Sequence, residues 1–140
     1  MAPSSSLLRV SALALLGCVS TASAAIASTT WTCSFKGVGK DPYIPSSVTL
    51  VIDEAKLTGT VYDALIAAKH AGPIGAKISR RDGKSWTILW EVEVPFSRNR
   101  TSQADYRVIL THTTGRASMR ADVPGNIEPS MGKGQCRRAN

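Results

Sequence analysis

Nucleophilic catalysis needs a serine or cysteine beside a base, and this chain offers two imidazoles, His70 and His112. They stand 42 positions apart, and no Gly-x-Ser-x-Gly elbow presents a serine to either. His112 follows Leu110 on an apolar-facing pattern near a turn, the setting of a structural histidine, whereas His70 lies in the least regular segment and is expected to be exposed. Two histidines with no cysteine to spare fall short of the three or four ligands zinc takes, so neither metal nor cofactor is expected. Carboxylates are the remaining chemistry. Glu91 and Glu93 share one face at strand spacing, and together with Asp63 they are the groups a small hydrolase would use as acid and base. A solvated strand face explains the two glutamates better, and the chain reads as non-enzymatic.

Cys33 and Cys136 are the second pair of residues with chemistry to do. They lie near the two ends of the chain that follows residue 24, and an even count in an exported chain implies a bridge. Export itself is read from the N-terminus. One positive charge at Arg9, a largely apolar run from Val10 to Val19 and the small residues Ala22-Ser23-Ala24 form a secretory signal, with cleavage expected after Ala24. The run is too short to anchor, since a spanning helix needs about 20 apolar residues. Leu15-Leu16-Gly17-Cys18 supports an alternative in which Cys18 carries a lipid and starts a membrane-anchored chain. Residues 1–24 are therefore the signal and 25–140 a single domain, periplasmic or secreted.

The chain carries a formal net charge of +7, and loss of Arg9 with the signal leaves +6. Outside the cytosol such a balance faces anionic envelope polymers, lipid headgroups or acidic proteins rather than nucleic acid. Basic residues gather at Lys77, Arg80, Arg81 and Lys84, and again at Arg98, Arg100, Arg107, Arg116 and Arg120. The polar stretch from Ser97 to Ala104 holds Arg98 and Arg100 and is the expected recognition loop if there is one. Its Asn99-Arg100-Thr101 sequon matters only in a eukaryotic secretory pathway, and the signal has a bacterial character. Lys36-Gly37-Val38-Gly39-Lys40 lacks the spacing of a phosphate loop.

The elements that must position these residues are strands, because alternation by two dominates the pattern. Trp86, Ile88, Trp90, Val92 and Val94 form one face of a strand and Thr87, Leu89, Glu91 and Glu93 the other. Parity places Ile74, Ala76 and Ile78 on the same inner side. A three-residue Arg81-Asp82-Gly83 loop with Gly83 left-handed would set Ile78 against Trp86, Ala76 against Ile88 and Ile74 against Trp90. A two-residue turn at Thr114-Gly115 brings Tyr106, Val108 and Leu110 against Ala117, Met119 and Ala121, with Arg107 opposite Asp122. Further strands are expected at Trp31 to Phe35, Ser47 to Asp53, Leu57 to Tyr62 and Gln135-Cys136, and Asp63 to His70 reads as a loop holding one helical turn. The fold class is all-β, one small antiparallel domain of about seven or eight strands closed by one disulfide, as a barrel or a sandwich.

In size, export signal and terminal bridge the chain is broadly similar to periplasmic lysozyme inhibitors, which are small β barrels, without their Ser-Gly-x-x-Tyr loop. The functional expectation is a non-catalytic binding or inhibitory protein of the cell envelope. Its partner would be an envelope protein or an anionic polymer. The alternatives are a carrier of an apolar ligand and a small hydrolase using carboxylates.

Overall fold

The computed structural model describes residues 27–39 and 41–140. The expected signal peptide, residues 1–24, and Cys18 within it lie outside the described residues. Eight antiparallel strands follow one another as a meander and close into a barrel: β1 (Ser28–Gly37), β2 (Ser47–Asp53), β3 (Thr58–Asp63), β4 (Ile74–Arg80), β5 (Ser85–Ser97), β6 (Arg100–Thr111), β7 (Arg116–Asp122) and β8 (Ser130–Arg138). One four-residue helix, α1 (Ala64–Ala67), interrupts the strands. No helix among the described residues is long and apolar enough to cross a membrane. Between barrel and sandwich the barrel is found, and it is closed by pairing of β8 with β1.

The alternation expected of the sequence is the alternation of the wall. On β5, Trp86, Ile88, Trp90, Val92 and Val94 are buried while Glu91 and Glu93 face out; on β2, Val48, Leu50 and Ile52 point inward. An eight-stranded barrel is just wide enough for side chains to fill. Trp31, Phe35, Leu50, Ile88, Tyr106, Leu110 and Met119 belong to one continuous buried cluster.

Cys33 and Cys136 form the expected disulfide. They are directly opposite partners in the β1–β8 ladder, so the bridge joins the first strand to the last within the barrel seam. Glycine makes that seam possible: a Cβ on Gly134 would lie 2.5 Å from both the Phe35 ring and the Ser34 carbonyl oxygen.

Two hairpins depart from expectation in register though not in face. Ile78 pairs with Ile88 and Arg80 with Trp86, two residues away from the predicted pairing. Asp82 causes the shift. Its Oδ1 accepts from the Lys84 N–H at 2.7 Å while Arg81 N–H donates to the Ser85 carbonyl, so the turn is built on Asp82 to Lys84 and Gly83 is not left-handed. A shift by two preserves parity, and the same side chains stay inside. Between β6 and β7, Leu110, Val108 and Tyr106 do face Ala117, Met119 and Ala121. The connection nevertheless spans residues 112–115, with the N–H groups of Thr114 and Gly115 both donating to Thr111 O. Arg107 therefore stands opposite Arg120, and Asp105 opposite Asp122. Gly115 fixes this turn, because it has φ +77° and any Cβ there would run into the Cys136 carbonyl oxygen.

Candidate functional site

The three carboxylates considered for acid and base chemistry do not converge. Glu91 and Glu93 lie on the outer surface of β5, whereas Asp63 is buried at the end of β3. Glu93 is held below the usual carboxylate range by the Thr101 hydroxyl and then by Lys69, whose Nζ is 3.6 Å away. Asp63 is the N-cap of α1. Its Oδ1 accepts from Ile66 N–H at 2.9 Å, and its Oδ2 has no partner. Burial pushes this carboxyl up, against the lowering effect of the Ile66 and Leu65 amides.

The raised Asp63 carboxyl has a testable consequence. A folded-state pKa above the unfolded value of about 3.9 means the folded chain binds the proton more tightly. The stability it contributes is present below that unfolded value and is lost as pH rises through the folded one. Asn caps a helix as well as Asp does, so Asp63→Asn keeps the Ile66 contact and removes the buried charge. Urea unfolding at a series of pH values is expected to show the variant gaining on the parent as pH rises from about 4 to 7. Parallel curves would show that the carboxyl carries no such penalty.

Asp63 also begins the feature that opens the barrel wall. The chain leaves β3 there, makes the single turn of α1 with Ile66 fully buried, and returns through Gly72-Pro73 to β4. α1 packs against β3 and β5, and Lys69 reaches Glu93. Helix and loop thus stand beside the stretch of β5 that a longer β4 would cover, and Pro73 has no N–H with which to extend the ladder. The β4–β5 pairing runs only from Arg80–Trp86 to Lys77–Leu89. Beyond it, Ile74 to Ala76 pair with β3 alone, and Trp90 onward pairs with β6 alone.

A cleft of about 720 Å³ occupies this opening. Ile74, Ala76, Leu89, Trp90 and Tyr106 give it an apolar lining; His70 and Lys77 contribute cationic or titratable groups, and Glu91 and Asp105 carboxylates. Glu91 and Asp105 are directly opposite each other across β5 and β6. Leu89 is 39% exposed on an otherwise polar outer face. The floor is stiff. The Trp90 and Tyr106 rings stack with centroids 5.2 Å apart and planes 6° from parallel, and the Tyr106 hydroxyl donates to Tyr43 O at 2.7 Å. Burial pushes that phenol far above its usual range, with the Asp63 charge adding to it. Trp90 Nε1 is buried with no hydrogen-bond partner.

His70 is brought to the cleft and His112 is not. His112 stacks on Trp86 at 4.5 Å between ring centroids, near the other end of the barrel. There Trp31 meets Trp86 edge-on and Arg138 lies over Trp31, tied to Glu54 at 3.2 Å. No group of three or more His, Cys, Asp or Glu placed to hold a metal occurs among the described residues.

Arg98 and Arg100 sit at the tip of the β5–β6 hairpin, turned by Asn99 at φ +58° with a bulge between Pro95 and Ser97. Arg98 is eight residues beyond Trp90 on β5 and Arg100 five residues before Asp105 on β6, about 15 Å or more along the strands, and neither lines the cleft. The hairpin base is braced where Ser102 Oγ donates to Pro124 O at 3.2 Å and where Phe96 packs over Gly125. Three of the other basic residues stand beside a row of acids. Lys77, Arg107 and Arg120 share one cross-strand row through Leu89, and Glu91, Asp105 and Asp122 occupy the next. Arg120 clasps Asp122 with Nε and Nη2 at 2.9 Å, so this wall is a mosaic of charge and not a uniform basic patch.

The cleft is the part of the site that sequence reasoning missed. One signal for it was present in Leu89, an apolar residue on the outward face between Thr87 and Glu91. Comparison with protein-family models, with curated proteins and with solved structures finds no match, which leaves the cleft and its residues to carry the functional argument.

Proposed function

We propose that residues 25–140 form a non-catalytic binding protein of the cell envelope, exported by the segment before them, with the cleft between β4 and β5 as its ligand site. The observation that carries this reading is the opening itself: the short β4 parts from the long β5 beside a rigid aromatic floor and leaves an apolar recess with polar groups at its edge. Ligand sites are concave, mostly apolar and supplied with a few polar groups. The chemistry fits a small amphipathic molecule. Its apolar body would cover Ile74, Ala76 and Leu89, and an anionic group would meet Lys77 and His70, in keeping with the basic balance of the chain. Binding in this wall cleft, with the interior filled by side chains, is also the form in which the carrier reading survives.

Gly75 provides a clean test. A Cβ there would meet nothing within 4 Å although the residue lines the cleft, so Gly75→Phe fills the recess without pressing on the core. With 1-anilinonaphthalene-8-sulfonate as an amphipathic anionic probe, the oxidised parent protein should show saturable binding at one site. The Gly75→Phe variant should bind about tenfold more weakly or worse, a loss of at least about 1.4 kcal/mol, at an unchanged melting temperature. Equal binding by both proteins, or none by the parent, would remove the cleft as the ligand site.

A further inference from the structure

In a meander every connection that follows an odd-numbered strand lies at the same end of the barrel. That end therefore carries residues 38–39 and 41–46 after β1, α1 and its loop after β3, the Arg98–Asn99 tip after β5 and residues 123–129 after β7. It is also where exposed apolar side chains gather. Ile127 is fully exposed, Val38 is 75% exposed and Met131 43% exposed, against only Tyr62 and Leu89 among large hydrophobics elsewhere in the described residues. Val38 and Met131 line a single groove of about 530 Å³ together with Asp41, Tyr43 and Glu128, tied together by the Val38 N–H donating to Met131 O at 3.0 Å, and Ile127 stands beside Glu128 in the connection that forms its other side. Clustered exposed hydrophobics at one end of a small domain mark a contact surface.

Charge says what would cover it. Asp41 and Glu128 line the groove, and among the described residues neither has an ion-pair partner. Three strands further round the same rim, the β5–β6 hairpin presents Arg98 and Arg100, likewise without an ion-pair partner among the described residues. One rim thus bears an acidic, apolar recess and a basic, protruding tip.

We propose that this rim is a self-association surface on which two copies of the chain pair end to end. A two-fold axis lying in the plane of the rim and bisecting tip and groove places the Arg98–Arg100 tip of each copy on the Asp41–Glu128 groove of the other. Such an isologous interface makes every contact twice. It also turns the exposed apolar residues toward a partner surface in both copies. None of the residues lining the ligand cleft belongs to the tip or the groove, although His70, in the loop after α1, stands at the same end of the barrel.

Sedimentation equilibrium of the oxidised protein from about 1 to 500 µM should show a monomer–dimer equilibrium that weakens as salt is raised. Reversing the tip (Arg98→Glu with Arg100→Glu) and reversing the groove (Asp41→Lys with Glu128→Lys) should each weaken the dimer at least about tenfold, because each homodimer then sets like charges together twice. An equimolar mixture of the two variants should restore association, since both tip-to-groove contacts become complementary in the mixed dimer alone. All four residues are on the rim, and circular dichroism melts should confirm that the variants fold. A parent chain that stays monomeric throughout, variants that dimerise like the parent, or a mixture that does not recover would each overturn the proposal.

Discussion

Replacing Cys33 and Cys136 together by alanine is expected to lower the unfolding free energy by about 3 to 5 kcal/mol. The bridge joins residues 103 positions apart, and on the chain-entropy account a loop of about 100 residues constrains the unfolded chain by about 4.7 kcal/mol. Its place in the fold adds a second effect. β1 and β8 are the first and last strands, and their pairing is the most non-local ladder of the barrel, so it carries the highest loop-closure cost unless the ends are already tied. Alanine avoids burying a hydroxyl at two positions that sit inside the core. Urea unfolding of the double variant, of the oxidised parent and of the parent kept reduced should place the last two apart by nearly the whole effect. If the reduced parent unfolds at the same denaturant concentration as the oxidised one, the seam is held by packing and ladder hydrogen bonds alone.

The pairing at that seam was legible in the sequence because it depends on few quantities: two cysteines after residue 24, their placement near the two ends of that stretch, and an N-terminal pattern read as an export signal. Inward and outward faces were legible for a similar reason. Parity survives any register error of two residues, so Ile78 and Trp86 point inward whether they oppose each other or, as found, stand two residues apart along the ladder. Register itself was not legible. In one hairpin it turns on Asp82 accepting from Lys84 N–H, and in the other on a four-residue turn ending at Gly115, choices made by hydrogen bonds within a few ångströms. The expected contact between Arg107 and Asp122 failed on that account, and Arg120, two residues along the same strand, took the carboxylate.

The cleft was hidden for a different physical reason. Each of its residues has an ordinary strand or loop address, and what makes a site of them is the loss of pairing between β4 and β5 beyond Lys77 and Leu89. That loss goes with α1 packing against β5 and with Pro73, just before β4, having no N–H to extend the ladder, a tertiary event that neither periodicity nor composition records. Arg98 and Arg100 show the converse. Their loop was recognisable from polarity, yet only the strand order places the tip on the same rim as the Asp41–Glu128 groove.

Trp90 is where fold and proposed site depend on one side chain, and Trp90→Ala is expected to cost about 3 to 5 kcal/mol, the usual range for truncating a buried aromatic. The ring is almost fully buried, stacks on Tyr106 and belongs to the cleft floor, so its removal loses the stack and leaves a void continuous with the cleft. Trp90→Phe should behave differently. It keeps an aromatic face against Tyr106 and deletes an indole N–H that is buried with no partner, and removing a donor left unsatisfied recovers about 1 to 3 kcal/mol of desolvation penalty. The lost ring volume works in the other direction, and the net change is expected to stay within about 1.5 kcal/mol. Urea unfolding of the two variants separates the contributions of packing and polarity. A Phe variant as damaged as the Ala variant would mean that the indole N–H is satisfied in solution, by water entering from the cleft. A mild Phe variant that binds the naphthalene probe as the parent does would identify Trp90 as support for the cleft floor, with ligand contact made by the groups above it.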